Sequence, residues 1–374
     1  MRYHVCVIQR LYIHNFRCLE NFSWTMAEQS SALLIGKNGS GKSTLALALS
    51  ILQSIARGTN RVGDLIKPKD LARGRSESPL RLLIEAQIDG SNYKYELALE
   101  FPPGFRELRV RQEKFEVNNE VVFNRDLASL HLRRSERFDE IDLSIDWHLV
   151  ALPIVSQHDQ GPLPIFRRWL SRMLILRPVP ALILGDSTDE TLEPDIQVTK
   201  FGAWFSGLLA SSPSAYGRME QYLRQVMPDF YAIKNPSVGS DSRNLEVHFR
   251  SGSEVFRVNF QELSDGEKCF MICGLVLAAN DEYGPLCCFW DEPDNYLALD
   301  EVGHFVLALR KGFQKGGQFI ATSHNQEAIR RFSSENTFVL SRKSHVDPTI
   351  IRPLSEIEVS GDLVSALLQG DLNS

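Results

Sequence analysis

Four apolar residues, Ala32 to Ile35, run into the polar, glycine-rich "GKNGSGK", and "TLALALSILQSI" then places apolar residues at helical spacing. This predicts strand, loop and helix. From about residue 80 to 125 the period becomes two in "RLLIEAQI", "YKYELALEF" and "KFEVNNEVVF", which are separated by "DGSN" and by a stretch containing "PPG". Asn118-Asn119 offers a tight turn inside the last, so the segment predicts an antiparallel sheet. Between about 160 and 235 the spacing is helical in "LPIFRRWLSRMLIL", "FGAWFSGLLASS" and "AYGRMEQYLRQVM", with the polar, acidic connector "GDSTDETLEPD", and an inserted helical lobe is expected. Alternation returns in "NLEVHFR" and "EVFRVNF".

Three further segments follow. "FQELSDGEKCFMICGLVLAAN" places Ser264, Asp265 and Gly266 at the start of an apolar helix, "LCCFWDEPDNYL" reads as a buried strand ending in Asp291 and Glu292, and "QFIATSHNQEAI" as a strand ending at His324. "TFVLSRKSHVDPTIIRPLSEI" reads as closing strands and "DLVSALLQGDL" as a short closing helix. The expected class is α/β, in three parts: 1–160 with the glycine-rich loop and antiparallel sheet, 161–240 as the helical lobe, and 241–374 with the later motifs. No internal repeat or low-complexity tract interrupts this order.

The loop carries the first chemistry. Gly36, Gly41, Lys42 and Ser43 meet the pattern G-x-x-x-x-G-K-[ST], the P-loop that wraps nucleotide phosphates. Backbone N–H groups from Asn38, Gly39, Ser40 and Gly41 can turn inward only where side chains do not obstruct the curvature. Lys42 adds a point charge, Ser43 a hydroxyl for Mg²⁺, and Thr44 continues into a helix whose N-terminus favours anions. ATP and Mg²⁺ are the expected ligands.

Composition narrows the rest. With 374 residues, 43% of them hydrophobic, the chain can bury a large core. No apolar run reaches the ~20 residues of a membrane span, and "MRYHVCVIQRLYI" lacks signal-peptide organisation; a cytoplasmic protein is expected. The six cysteines form no C-x-x-C pair, and four sit in apolar runs, as small core residues do. The net charge of −6 gives no global pull on nucleic acid. One local patch remains, with Arg57, Arg61, Lys67, Lys69, Arg73, Arg75 and Arg81 but no aromatic residue for base stacking; it reads either as a DNA contact or as a solvated basic loop.

The order P-loop, "LSDGE", "DEPDNYL" and "TSHNQEAI" resembles the ATPase head of the ABC superfamily, in the non-transporter branch that includes RecF, SMC-type heads and the OLD-type ATPases of phage defence. "LYIHNFRCLENFSW" adds to the OLD-like resemblance. The resemblance implies that Ser264 and Gly266 of one protomer close on the ATP of another in a head-to-tail dimer. It implies that Asp291 serves Mg²⁺, that Glu292 polarises the attacking water, and that His324 contacts the γ-phosphate. Arg17 matches an arginine near the nucleotide. Gln157 is the choice for the Mg²⁺-linked glutamine of the family, with Gln87 as the alternative.

Asp265 and Glu267 replace the glycine and glutamine common in transporters, while Tyr296 and Ala298 stand where OLD-like sequences often carry histidine. The interval between the motifs shows no sustained heptads for a coiled coil. About fifty residues follow His324, too few for the TOPRIM nuclease domain of OLD-type enzymes, and the nine histidines are scattered. The expected activity is therefore ATP hydrolysis, in a sensor or regulatory subunit of an anti-phage defence complex that controls a separate nuclease or toxin encoded nearby. The alternative is a RecF-like DNA-maintenance ATPase using the Arg57 to Arg81 region.

Overall fold

The period-two segments form an antiparallel sheet larger than their alternation suggests. The structure is a computed structural model describing residues 6–26, 29–133, 140–156 and 161–357. Its eight-stranded sheet runs, in spatial order, Phe22–Thr25, Cys6–His14, Leu80–Ile88, Ser91–Glu100, Arg109–Val117, Glu120–Asp126, Ser129–Arg133 and Glu140–Ser144. The turns follow from local chemistry. Asp89-Gly90 and Asn118-Asn119 all adopt positive φ, between 51° and 84°, as the two-residue hairpins of a right-twisted sheet require. The helix Pro162–Ser171 lies on this sheet, with Phe166 stacked on Tyr93 at 5.9 Å and 5.1 Å from Phe115.

This sheet belongs to the first of two units, which runs to Met173 and resumes at Ser334. Within the same unit, Ser31–Ile35 pairs in parallel with Thr337–Ser341, which pairs antiparallel with Ile350–Pro353. Ser31–Ile35 is wholly buried, consistent with its unbroken apolar run. The helix Lys42–Ala56 is anchored by Gln53, which donates through Nε2 to the Met173 carbonyl, and by Arg57, whose Nε donates to Ser171 O at 3.0 Å.

A fully buried ion pair braces the antiparallel sheet. Arg125 and Glu113 are both 0% exposed and approach to 3.6 Å. Arg125 donates to the carbonyls of Leu127, Leu149 and Asp146, while Glu113 accepts from the N–H groups of Ala151 and Leu152 and from the Tyr95 hydroxyl. Burial pushes the Glu113 carboxyl upward, and the Ala151 and Leu152 amides with Arg125 and Tyr95 oppose that push. The pair thereby ties the segment 145–152 to the sheet.

The second unit, Leu174–Ser333, is described by itself. Leu174–Leu176, Cys287–Trp290 and Gln318–Thr322 form three adjacent parallel strands, each wholly buried. The helix Asp265–Tyr283 is buried along most of its length and packs on Ala215–Val226 and Leu299–Phe313, which explains a sequence apolar on nearly every face. Two smaller sheets, one of Phe230–Lys234, Glu246–Ser251 and Glu254–Asn259 and one of Asp186–Ser187, Ser242–Asn244 and Ser237–Val238, also belong to the unit, with Phe201–Ser211 as a further helix.

The helical pattern expected over 160–235 is interrupted. "LIL" at 174–176 is a strand, because three apolar residues beside a buried parallel neighbour gain more from pairing than from one more helical turn. The helices of that stretch also fall in both units, Pro162–Ser171 in the first and the next two in the second. All six cysteines are buried and none forms a disulfide; burial pushes the Cys6 and Cys269 thiols up to about 12, so they pack as small apolar residues. The closing helix expected from "DLVSALLQGDL" lies outside the described residues.

Replacing Arg125 with Met leaves the Glu113 carboxylate buried without its cation and several carbonyls without donors. The expected cost is about 3–5 kcal/mol, measured as a lowered urea midpoint for the transition that unfolds the antiparallel sheet. A midpoint within error of wild type would show that the pair contributes no net stability.

Candidate nucleotide site

The buried strand Ser31–Ile35 delivers the chain into the loop 36–41, and the helix Lys42–Ala56 leaves it. Gly36 could carry no side chain, since a Cβ there would lie 2.3 Å from the Leu340 carbonyl oxygen. Gly41 sits at φ 107° and caps the helix in a left-handed conformation that other residues rarely adopt. Lys42 is buried, and its Nζ donates to the carbonyl oxygens of Gly36 at 2.6 Å and Lys37 at 3.4 Å. Asn38, Gly39 and Ser43 are exposed, and Thr44 is half-buried with its hydroxyl 3.6 Å from Cys18 Sγ. Ser40 is 3% exposed and its hydroxyl has no partner among the described residues. An orphaned buried hydroxyl, a loop that excludes side chains and an adjacent ammonium fit a polyphosphate.

Arg17 is hydrogen-bonded to Asp70. It sits at φ 52°, and its guanidinium grips Asp70 Oδ1 through Nε at 3.0 Å and Nη2 at 2.8 Å. Its neighbour Cys18, by contrast, lies against the loop, 3.0 Å from where a Gly41 Cβ would be.

In the second unit, Asp291 and Glu292 follow Cys287–Trp290 directly, and His324 lies two residues beyond Gln318–Thr322. Parallel register pairs Trp290 with Ala321, so the next residues, Asp291 and Thr322, arrive side by side. The Thr322 hydroxyl donates to Asp291 Oδ1 at 2.6 Å and accepts from the Glu292 N–H at 2.9 Å. Glu292 is held at φ 52°, a conformation costly for a residue with a side chain and frequent where a group must be aimed. Asn295 Nδ2 donates to Glu292 Oε2 at 2.7 Å, and His324 Nε2 stands 3.7 Å from Oε1. Asp291 is 3% exposed and has Arg177 Nε 3.8 Å from Oδ2.

Next to this pair, Asp294 accepts from the Ser323 hydroxyl at 2.6 Å, while its other oxygen is buried without a partner among the described residues. Burial pushes the Asp294 carboxyl upward, against the Ser323 bond. Among the described residues no three His, Cys, Asp or Glu side chains gather as a metal cage. Mg²⁺ needs none where phosphates and water supply most of its ligands; a serine hydroxyl beside the loop, as at Ser43 in the first unit, and a carboxylate at a strand end, as at Asp291 in the second, are each oxygen donors of the kind it takes.

Ser264 is the N-cap of Asp265–Tyr283, in a reciprocal capping box with Glu267: its hydroxyl donates to Glu267 Oε2 at 2.7 Å and accepts from the Glu267 N–H at 3.3 Å. The Glu267 that departs from the transporter pattern thus has a local structural reason. Gly266 lies against the next motif, where a Cβ would stand 3.2 Å from the Tyr296 carbonyl oxygen. Gln157 lies outside the described residues, and Gln87 is in the antiparallel sheet opposite Val7 and Asn92. Thr322, Asn295 and Arg177 were not singled out from sequence. The parallel register of two strand ends would have found Thr322; Arg177 carries no local signal.

Comparison with solved structures shows that the chain shares the fold of SMC head domains, the ABC-type P-loop ATPase fold. An SMC head bound to the C-winged helix domain of ScpA aligns with a TM-score of 0.57 at 13% identity, covering 93% of this chain and 99% of that one. An SMC head with an extended coiled coil, bound to the C-terminal domain of ScpA and derived from Pyrococcus furiosus, aligns with a TM-score of 0.52 at 12% identity, covering 99% and 100%. Residues 31–330 match the AAA_21 family, described as "AAA domain, putative AbiEii toxin, Type IV TA system", and the chain belongs to that family. No curated protein matches it.

Thr322→Val keeps the volume of the side chain and removes the hydroxyl shared by Asp291 and Glu292. ATP turnover is expected to fall at least about tenfold with KM nearly unchanged, and Thr322→Ser to restore most of it. Equal kcat in the Val variant and wild type would separate Thr322 from the acidic pair.

Proposed function

We propose that this chain binds ATP in the P-loop and hydrolyses it, and that it serves as the sensor or regulatory subunit of an anti-phage defence complex. The observation that carries the nucleotide reading is the glycine-lined loop at the end of a buried strand, with the partnerless Ser40 hydroxyl inside it. Asn38 to Thr44 supply the phosphate contacts, Lys42 exchanging its bonds to Gly36 and Lys37 for phosphate oxygens. Ser43 and Asp291 hold Mg²⁺, with Gln157 as the third candidate. When bound, the ion offsets phosphate charge and fixes the geometry of the triphosphate. Glu292 orients and polarises the attacking water, and His324 meets the γ-phosphate.

The regulatory part rests on the family, whose description names a toxin–antitoxin system, and on the fold, since the matched SMC heads were solved with a partner protein. Ser264 and Gly266 in this reading meet the ATP of a second copy. Support comes from Tyr296 and Leu299, which follow the acidic pair and are 41% and 69% exposed; large side chains left in water suit a protein surface, and the Tyr296 carbonyl oxygen would lie 3.2 Å from a Cβ on Gly266. ATP-dependent dimerisation then controls an effector, a nuclease or toxin encoded nearby, in the cytoplasm. Among the described residues no helix is long and apolar enough to cross a membrane.

The RecF-like alternative, DNA held through the Arg57 to Arg81 region, draws less support. Arg73 and Arg75 both bind Glu20, Arg61 binds Glu107 and Arg81 binds Glu96. A phosphodiester would have to displace carboxylates already in place.

Lys42→Ala is expected to abolish ATP binding, measured by equilibrium titration with a fluorescent nucleotide, and unchanged affinity would remove the P-loop from the function. Glu292→Gln should bind ATP normally, turn over at least about a hundredfold more slowly and accumulate as an ATP-loaded dimer in sedimentation. Wild-type turnover there would take Glu292 out of the chemistry.

The dimer has its own test. Ser264→Arg should bind ATP as a monomer and fail to hydrolyse it, because the bulky cation fills the space meant for a partner's γ-phosphate. Mixed with Lys42→Ala it should regain part of the activity, since one of the two sites then has a sound P-loop and a sound Ser264. Normal hydrolysis by Ser264→Arg alone would rule out the composite site.

A further inference from the structure

The segment after Thr337–Ser341 carries none of the motifs, yet it ends against the P-loop. Val339 pairs with Ile35 in parallel, and Ser341 pairs with Ile350 antiparallel, so the residue before Ile350 arrives at the same end of the strands as the loop. That residue is Thr349, 3% exposed. Its hydroxyl donates to the Ser40 carbonyl at 2.8 Å across 309 residues of sequence, and its N–H donates to the Cys18 carbonyl at 2.9 Å. A Cβ on Gly41 would lie 2.9 Å from Thr349 Oγ1 and 3.0 Å from Cys18 Sγ. The segment leading to Thr349 is itself fixed: Arg342 Nε donates to Asp347 O at 2.7 Å, and Arg73, which holds Glu20, also donates to Val346 O at 2.9 Å.

The consequence follows from the geometry of a peptide. In a trans peptide the C=O and the following N–H point in opposite directions. Holding the Ser40 carbonyl on Thr349 therefore directs the Gly41 N–H away from Thr349. The peptide before a glycine is easily turned over, because Gly41, at φ 107°, has no Cβ to resist. Turned over, it would present a carbonyl oxygen to the phosphates where the loop needs a donor.

We propose that Thr349 is a positioning residue of the P-loop, whose hydroxyl holds the Ser40 carbonyl outward and so aims the Gly41 N–H at the phosphates of a bound nucleoside triphosphate. This rests on the ATP-binding reading above and adds a residue that no P-loop pattern contains.

The test compares Thr349→Val, which keeps shape and loses the hydroxyl, with Thr349→Ser, which keeps the hydroxyl. Affinity for a fluorescent ATP analogue is titrated well below the melting temperature of each variant, with Lys42→Ala alongside. The Val variant is expected to bind about tenfold more weakly, as loss of one hydrogen bond to a charged group implies, and the Ser variant within about twofold of wild type. The thermal midpoint without nucleotide should move little in either, whereas the upward shift produced by ATP should shrink only in Val. If Val does not fold, Thr349→Ser against Thr349→Ala makes the same comparison, the methyl being lost from both and the hydroxyl from one. Wild-type affinity in Val, or equal affinity in Ser and Ala, overturns the role of Thr349 and leaves the P-loop reading standing. Failure of the wild type to bind better than Lys42→Ala overturns both.

Discussion

A loop rich in glycine has no shape of its own. Gly36, Gly39 and Gly41 all sit at positive φ, and each is free in the unfolded chain to explore more backbone space than any other residue. Whatever the loop binds, its curvature has to be imposed from outside. The parts of the first unit nearest to it do this: Leu340 closes on Gly36, Thr349 and Cys18 close on Gly41, and Lys42 spans the loop to reach two of its carbonyls. The three strands Ser31–Ile35, Thr337–Ser341 and Ile350–Pro353 serve the loop by bringing those braces to one end.

The acidic pair solves a related problem by other means. Here the strand ends abruptly and the aim of Glu292 is set by one hydroxyl, because Thr322 takes its N–H and gives a proton to Asp291. One side chain thus ties the Asp291 carboxylate to the Glu292 backbone. Asn295 and His324 then limit the glutamate side chain from two directions. Arg177 stands at the outer oxygen of Asp291, its Nε 3.8 Å from Oδ2.

The sequence was informative where chemistry and folding signal share a short stretch. Gly36 to Thr44 and Asp291-Glu292 each follow an apolar run that can only be a buried strand, so residue type and position point the same way. Ser264 was legible as the start of a helix, but the hydroxyl read as a phosphate contact is also the cap that starts that helix, and sequence cannot divide one oxygen between two roles. The basic stretch stayed ambiguous in sequence for an electrostatic reason. Its arginines are consecutive in reading, whereas Glu20, Glu96 and Glu107, which offset them, lie 15 to 55 residues away along the chain. Arg125 and Glu113 look like ordinary strand charges on either side of a hairpin, and only the fold shows both fully buried. Thr322 and Thr349 were silent because each acts through a hydrogen bond to a distant part of the chain, and threonine on a strand needs no explanation.

The distance between Ser40 and Thr349, 309 residues, also orders events in time. During synthesis the glycine loop leaves the ribosome early, followed by the helix that should cap it, while the hydroxyl that fixes its central peptide is still to be translated. Translation adds about 5–20 residues per second, so the loop waits on the order of tens of seconds in a form whose N–H groups have no fixed aim. An incomplete chain ending short of Thr349 therefore carries the whole glycine motif without its shape, and a truncated product would compete poorly for nucleotide with finished copies of the same protein.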